Sequence, residues 1–236
     1  MKTTTEINKN NTIEGSVSLP FKGVIFDMDG TLIESTEADY LAWKRLFADY
    51  QKPLSYEDYF PLLGAKSAVV VQSRLHLDEE QTKVALAKKL KYFTEIVSQN
   101  GIQPVPFAIK LLEQLQQYDL KIALATSSRR EKMKMVLKLT GLLPYFEVIV
   151  TGEEVSKSKP APDIFLIAAK KLELPPDQCL VIEDAVNGIK AAKNAGMKCI
   201  AITTTHSSEM LQEADLIIDT YEAVNFQDLC SVLLSN

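Results

Sequence analysis

The sequence FKGVIFDMDGTL, residues 21–32, joins an apolar run directly to a pair of acids. Val24 to Phe26 have the β-favouring, apolar character of a buried strand. Asp27 and Asp29 follow with one residue between them, and their side chains would share one face if strand geometry continued. Because ligands bind at the carboxyl ends of strands in open α/β sheets, this stretch predicts an acidic site at a sheet edge.

Two neighbouring carboxylates offer more than one chemistry. They supply the hard oxygen ligands that Mg2+ prefers. One carboxylate could instead act as a nucleophile and form an aspartyl-phosphate, while the other protonates a leaving oxygen and later deprotonates water. An acidic turn is the alternative, since Asp and Gly are ordinary turn residues. The strand before the pair and three polar clusters further along favour a functional site.

Composition places the chain among ordinary globular proteins. Its 236 residues are 46% hydrophobic and 24% charged, which suits one large domain or a domain with an insertion. A net charge of -5 argues against a nucleic-acid or membrane partner, and no apolar run is long enough to span a membrane. Three cysteines without metal-site spacing indicate reduced thiols, so a cytoplasmic location is expected. The protein is expected to be a monomer or a weak dimer.

Hydrophobic periodicity divides the chain into two parts. Residues 35–101 show helical spacing with no convincing strand, whereas short apolar strands alternate with helices after residue 104. Such alternation implies βαβ units and a parallel sheet, and the helical block has the position of an inserted domain. The predicted division is a flexible tail at 1–19, an α/β core at 20–34 and 102–236, and a helical cap at 35–101.

Five further strands and a closing helix are predicted within the α/β core. The closing helix is expected at 225–234, after the last strand. The strands are expected at 121–126, 148–150, 179–182, 197–202 and 216–218.

Polar clusters follow three of these strands, as the two acids follow the first. Thr126 and Ser127 offer hydroxyls and backbone N–H groups for a phosphate, although Ser and Thr are also the commonest helix N-caps. Lys159, in a proline-rich loop, suits a fixed cation for a phosphate or a carboxylate. Glu183 and Asp184 suit either a metal or a helix N-terminus. Acids, a lysine and hydroxyls gathered at one sheet edge suit phosphoryl transfer on Mg2+.

At these residues the chain resembles the haloacid dehalogenase superfamily of phosphohydrolases. Within it, the chain is most similar to the group of β-phosphoglucomutases and small sugar-phosphate phosphatases. The resemblance extends over roughly residues 21–220 and implies a Rossmann-like core with a helical cap inserted after the first motif. The four motifs are DMDGT (27–31), ALATSS (123–128), SKPAPDIF (158–165) and VIEDAVNGI (181–189).

The resemblance implies a role for each polar residue by its position. Asp27 would be the nucleophile that takes the phosphoryl group, and Asp29 the general acid and base. Thr126 and Ser127 would hold phosphate oxygens, and Lys159 would neutralise charge beside Asp27. The Mg2+ cofactor would be held by Asp27, the backbone carbonyl of Asp29, Glu183 and Asp184.

The acceptor of the phosphoryl group separates two functions. Attack by water would make a phosphatase for a small phosphorylated substrate such as a sugar phosphate, which is the favoured interpretation. The alternative is a β-phosphoglucomutase that interconverts β-glucose 1-phosphate and glucose 6-phosphate, which must also bind a distal phosphate. Lys66 and Ser67 occupy the corresponding cap loop, and Arg129 falls where the mutases carry a lysine. Asp39 stands where they carry a histidine, and an acid facing the site there would repel a phosphorylated substrate.

Two other classes fit the residues less well. A dehalogenase would need neither Asp29 nor the pair Glu183 and Asp184, yet all three are present. A silent binding protein would have no use for several buried acids, which cost stability when unpaired.

Overall fold

The structure is a computed structural model that describes residues 21–63 and 65–222. The predicted tail at 1–19 and the closing helix at 225–234 lie outside the described residues. The strands are β1 Gly23–Phe26, β2 Lys121–Thr126, β3 Val148–Thr151, β4 Cys179–Glu183, β5 Lys198–Ile202 and β6 Leu216–Ile218. They form one six-stranded parallel sheet in the order β3-β2-β1-β4-β5-β6, which confirms the predicted α/β class.

Within the part of the chain that the structure describes, the predicted helical insertion at 35–101 contains four α-helices. They are α1 Thr36–Asp49, α2 Tyr56–Tyr59, α3 Ser67–Leu75 and α4 Glu79–Asn100. Asp78 caps α4, accepting a hydrogen bond from the Gln81 backbone N–H, while the Gln81 side chain accepts one from the Asp78 N–H. Trp43, Leu46 and Val71 are buried in a separate hydrophobic cluster of this segment, which gives the helices their own core.

Four more helices cover the two faces of the sheet. They are α5 Ala108–Gln117, α6 Arg130–Thr140, α7 Asp163–Lys171 and α8 Val186–Asn194. The first begins directly after Phe107, which adopts a left-handed φ of 65°. Within 21–63 and 65–222, no helix is both long and apolar enough to cross a membrane.

Alternate residues of β1 point into two different hydrophobic clusters. Val24 and Phe26 belong to the cluster that includes Leu111 of α5 and Val136 of α6. Ile25 belongs to the other cluster, which includes Phe165 of α7. Burial on both faces explains why the strands are almost continuously apolar.

The chain order reverses on either side of β1, and this reversal positions the site. Phe26 of β1 is aligned with Leu124 of β2 on one side and with Ile182 of β4 on the other. The residues that follow in each strand therefore meet at one sheet edge, outside the carboxyl ends of β1, β2 and β4. Such a switch point is where open α/β sheets bind ligands.

Two of the three cysteines lie within the described part of the chain. Cys179 and Cys199 are buried and free, as the prediction of reduced thiols requires. The third, Cys230, lies beyond the last described residue.

Candidate active site

A buried lysine joins two acids at the centre of this sheet edge. Nζ of Lys159 donates to Oδ1 of Asp27 at 2.6 Å and to Oε1 of Glu183 at 2.7 Å. Its third bond goes to the backbone carbonyl of Ala125 at 3.2 Å, and all three charged side chains are buried. The loop after β3 thus places one cation between the acids that follow β1 and end β4. Burial lowers the pKa of Lys159, but the two carboxylates outweigh burial and raise it, so the lysine is charged.

Glu183 is held by the backbone as well as by the lysine. Its Oε2 accepts from the backbone N–H groups of Asp184 at 2.8 Å and Ala185 at 2.9 Å. Gly188 of α8 packs against the same carboxylate so closely that a Cβ there would overlap it. With one oxygen on the lysine and the other on the amides, Glu183 orients Lys159 toward Asp27.

Asp184 is close enough to Asp27 to feel its charge and is held by hydroxyl groups. Its Oδ1 accepts from the Thr31 hydroxyl at 2.8 Å, and its Oδ2 accepts from the Thr205 hydroxyl. Burial raises the pKa of Asp184 well above its usual value, and the negative charges of Glu183 and Asp27 raise it further. The pKa of Asp27 rises to about 7, chiefly through burial, against the opposing pull of Lys159.

The donors around Asp27 and Asp184 fit Mg2+. No group of three or more His, Cys, Asp or Glu side chains in 21–63 and 65–222 is arranged to hold a metal by itself. Mg2+ is usually held by one or two carboxylates, with water and substrate oxygens completing its shell. Asp27 and Asp184 supply two buried carboxylates whose pKa values are raised chiefly by burial and further by neighbouring acids, and a divalent cation would stabilise their ionised forms.

Asp29 faces a different set of partners from Asp27. Its carboxylate accepts from the hydroxyls of Ser35 at 2.5 Å and Ser128 at 2.6 Å, and from Nζ of Lys132 at 2.8 Å. Burial raises the pKa of Asp29, but Lys132 and the bonds from Lys132 and Ser128 outweigh it and hold the pKa below its usual value. Asp29 is therefore ionised in this arrangement.

A second ionic cluster connects the helical insertion to the core. Oδ1 of Asp39, on α1, accepts from Nζ of Lys89 at 2.8 Å and from Nζ of Lys132 at 3.4 Å. The Tyr59 hydroxyl donates to Oδ2 of Asp39 at 3.3 Å, and Nζ of Lys89 lies 4.1 Å from the centre of the Trp43 ring. Asp39 lines the cavity, which is the position in which an acid would repel a phosphate. However, Lys89 and Lys132 compensate its negative charge.

Both clusters line one cavity between the sheet edge and the helical insertion. Its lining includes the charged residues Asp27, Lys159 and Asp184 and the aromatic residues Trp43 and Phe93. The cavity thus combines charged groups with aromatic side chains, which is a common arrangement for a site that binds a small molecule.

The predicted phosphate-binding residues lie around this cavity with one exception. Thr126 is buried, and its hydroxyl accepts from the backbone N–H of Ser128 at 3.0 Å. Ser127 and Ser67 line the cavity, whereas Lys66 does not. Arg129 also lines it, and its Nε donates to Glu153 at 3.2 Å near the surface.

Sequence reasoning missed Lys132, Lys89, Ser35 and Tyr59. Lys132 lies in the first turn of α6, just after the Thr126 cluster. A lysine so close to a predicted strand end was a usable signal, because the first turn of a crossover helix adjoins the sheet edge. Lys89, Ser35 and Tyr59 lie in the helical insertion. The local sequence pattern does not predict how this insertion is oriented toward the core.

Comparison with known proteins gives a consistent result. A model of the family described as haloacid dehalogenase-like hydrolase matches residues 24–202. The chain is 36% identical over 206 residues to validoxylamine A 7'-phosphate phosphatase of Streptomyces hygroscopicus subsp. limoneus, covering 84% of this chain and 93% of that protein. It is 32% identical over 205 residues to beta-phosphoglucomutase of Bacillus subtilis (strain 168), covering 84% and 88%.

The fold also matches solved structures. A beta-phosphoglucomutase structure from Clostridium difficile superimposes with a TM-score of 0.82, covering 91% of this chain and 98% of that one. The sequence identity is 24%, so this match supports the fold alone.

Proposed function

Since the chain belongs to the haloacid dehalogenase-like hydrolase family, we propose that it hydrolyses a small phosphorylated metabolite, such as a sugar phosphate, through an aspartyl-phosphate. Family membership makes it a phosphatase or a closely related sugar-phosphate mutase. One observation supports the choice of Asp27 as nucleophile: Nζ of Lys159, a residue oriented by Glu183, lies 2.6 Å from a carboxylate oxygen of Asp27, and both residues line the cavity.

The first half of the reaction forms the aspartyl-phosphate. A carboxylate oxygen of Asp27 attacks phosphorus, the ester P–O bond breaks, and the leaving oxygen takes a proton from Asp29. Lys159 offsets negative charge that builds up between Asp27 and the phosphoryl group. To donate, Asp29 would have to part from Lys132 and carry a proton, because the ion pair keeps it ionised in the structure.

The second half releases inorganic phosphate. Water attacks phosphorus, the bond to Asp27 breaks, and Asp29 accepts the proton of the attacking water. The ionised state that Lys132 imposes on Asp29 suits this step directly.

Phosphate oxygens would be held by the Thr126 hydroxyl and the backbone N–H of Ser127, close to the N-terminus of α6. Asp27, Asp184 and the backbone carbonyl of Asp29 would hold Mg2+, with Glu183 as a fourth predicted ligand beside its bond to Lys159. When bound, Mg2+ supplies positive charge that lowers the repulsion between phosphate and the acids.

The mutase alternative needs a cation for the second phosphate of a bisphosphate. Arg129 is a candidate, because it lines the cavity, but it also pairs with Glu153. Lys66 is outside the cavity lining. Hydrolysis of a monophosphate does not require a cation for a second phosphate, and we therefore favour the phosphatase.

A single end-point assay separates the two functions. The protein, Mg2+, β-glucose 1-phosphate and a trace of glucose 1,6-bisphosphate are incubated together, and free phosphate and glucose 6-phosphate are both quantified. A panel of other sugar phosphates is run in parallel, with the Asp27→Asn variant as the blank. We expect free phosphate from at least one ester and no isomerisation. Glucose 6-phosphate without free phosphate would overturn the phosphatase in favour of the mutase.

A further inference from the structure

The cavity has a polar wall that extends from Asp29 into the helical insertion. We define the polar wall as Asp39, Lys89, Lys132 and Tyr59, together with the Asp29 carboxylate that Lys132 contacts. It holds two lysines and two carboxylates, so its formal charge is zero. All of its members line the cavity.

These charges are paired with one another and largely shielded from water. The side chains of Lys89 and Lys132 are 11% and 12% exposed, and that of Asp39 is 17% exposed. The other cations of the described cavity lining are Lys159, which is held by Asp27 and Glu183, and Arg129, which pairs with Glu153. Among the described lining residues, no cation is therefore left without an acidic partner.

We propose that Asp39 is a specificity-determining residue that keeps the polar wall neutral, so that the cavity accepts an uncharged, polyhydroxylated leaving group and rejects a substrate with a second phosphate. The proposal rests on the proposed function, since it concerns the leaving group of the same reaction. It also bears on the mutase alternative, because a mutase must bind a bisphosphate.

The chemistry of the wall explains the discrimination. A hydroxyl both donates and accepts, so it can bridge a carboxylate and an ammonium group without adding charge. A phosphate dianion would have to displace Asp39 from its lysines or remain unpaired after losing its hydration, and both are costly. Trp43 and Phe93 also line the cavity beside the ammonium groups of Lys89 and Lys132, and their rings add carbon surface against which the C–H groups of a sugar or polyol can pack.

The test compares Asp39→Asn with Asp49→Asn. Asp49 lies on α1, as Asp39 does. Its carboxylate accepts from Nζ of Lys88 at 3.3 Å and from the hydroxyl of Tyr92 at 2.8 Å, so it too pairs with a lysine and a tyrosine. It is not among the cavity-lining residues. The two substitutions therefore remove the same kind of charge from the same helix, one inside the cavity and one outside it.

The measured quantity is the ratio of kcat/KM for glucose 1,6-bisphosphate to that for glucose 6-phosphate, by phosphate release with Mg2+. We expect the wild type to favour the monophosphate by about tenfold or more, and Asp39→Asn to raise the ratio by about tenfold. Asp49→Asn should leave the ratio unchanged. Lys89→Gln makes the polar wall negative and should lower the ratio of kcat/KM values. Because this shift is opposite to that of Asp39→Asn, it tests the proposal even if Asp39→Asn folds poorly.

Three outcomes would overturn the proposal. Equal use of both esters by the wild type would remove the discrimination while leaving phosphatase activity intact. If Asp39→Asn and Asp49→Asn shifted the ratio of kcat/KM values equally, the effect would come from the net charge of the protein and not from the polar wall. Absence of phosphate release from every ester, p-nitrophenyl phosphate included, would overturn the proposed function and this proposal with it.

Discussion

Lys159 and Asp27 are 132 residues apart in the chain, yet Nζ of the lysine lies 2.6 Å from Oδ1 of the aspartate inside the protein. The same nitrogen lies 2.7 Å from Glu183, and the lysine side chain is 2% exposed. One buried cation therefore serves two buried carboxylates, with Asp184 as a third acid beside them. Removing the cation and removing one of the acids should therefore affect stability in different ways.

Lys159→Met should destabilise the fold strongly. Loss of the cation leaves Asp27 and Glu183 buried without a partner, and breaking buried pairs in this way typically costs about 3–5 kcal/mol. The free energy of unfolding, measured by urea denaturation, should fall by that amount. The control is Lys157→Met, because Lys157 is exposed in the same loop and its loss should change the free energy by less than about 0.5 kcal/mol. Equal effects at both positions would contradict the assignment.

Asp27→Asn should abolish turnover and leave the fold intact. An amide cannot form the acyl phosphate that a carboxylate forms, so phosphate release should stop. The amide also removes a negative charge whose burial is costly, as the pKa of about 7 for Asp27 indicates, so the melting temperature should stay the same or rise. Appreciable residual turnover in a folded variant would remove Asp27 as the nucleophile.

The local sequence pattern predicted the architecture because its signals are short-range. Strands β2 and β6 begin and end where the apolar runs do, and β1, β3, β4 and β5 differ by one residue at an end. Acids and hydroxyls after β1, β2 and β4 could be assigned to one edge, since parallel strands in a sheet end on the same side. The boundaries of the helical cap remain predictions.

The leaving-group side of the site could not be predicted in this way. Lys132 and Asp29 are 103 residues apart and Lys89 and Asp39 are 50 apart, so no local period brings them together. Their pairing depends on how the helical insertion packs over the sheet edge. Asp39 shows the consequence, because the sequence predicted a repulsive acid there and the structure surrounds it with two lysines.

Gly188→Ala should lower turnover more than it lowers stability. A Cβ at this position of α8 would overlap the carboxylate of Glu183, which must then shift and carry Lys159 away from Asp27. A displacement of this kind should lower kcat by roughly 10- to 100-fold.

The matched control for this glycine is Gly141→Ala. A Cβ at Gly141 meets no atom within 4 Å, although its φ of 72° makes alanine strained there. This control should cost about 1 kcal/mol of unfolding free energy and leave kcat unchanged. If the two variants lowered kcat alike, backbone strain rather than Glu183 would be responsible.

Stability without metal should fall as pH rises, and Mg2+ should reverse the trend. The pKa of Asp27 is about 7 in the folded protein against 3.8 as its ordinary value, so the folded state binds more protons between these two values. Stability from this group is therefore present below pH 3.8 and is lost as pH rises toward 7. Chemical denaturation in EDTA across this range should show the decline in the wild type and a flatter profile in Asp27→Asn, where the group no longer titrates. Added Mg2+ should stabilise the wild type more at pH 8 than at pH 6, because metal binding requires the ionised carboxylate, and an equal shift at both values would contradict a Mg2+ site at Asp27.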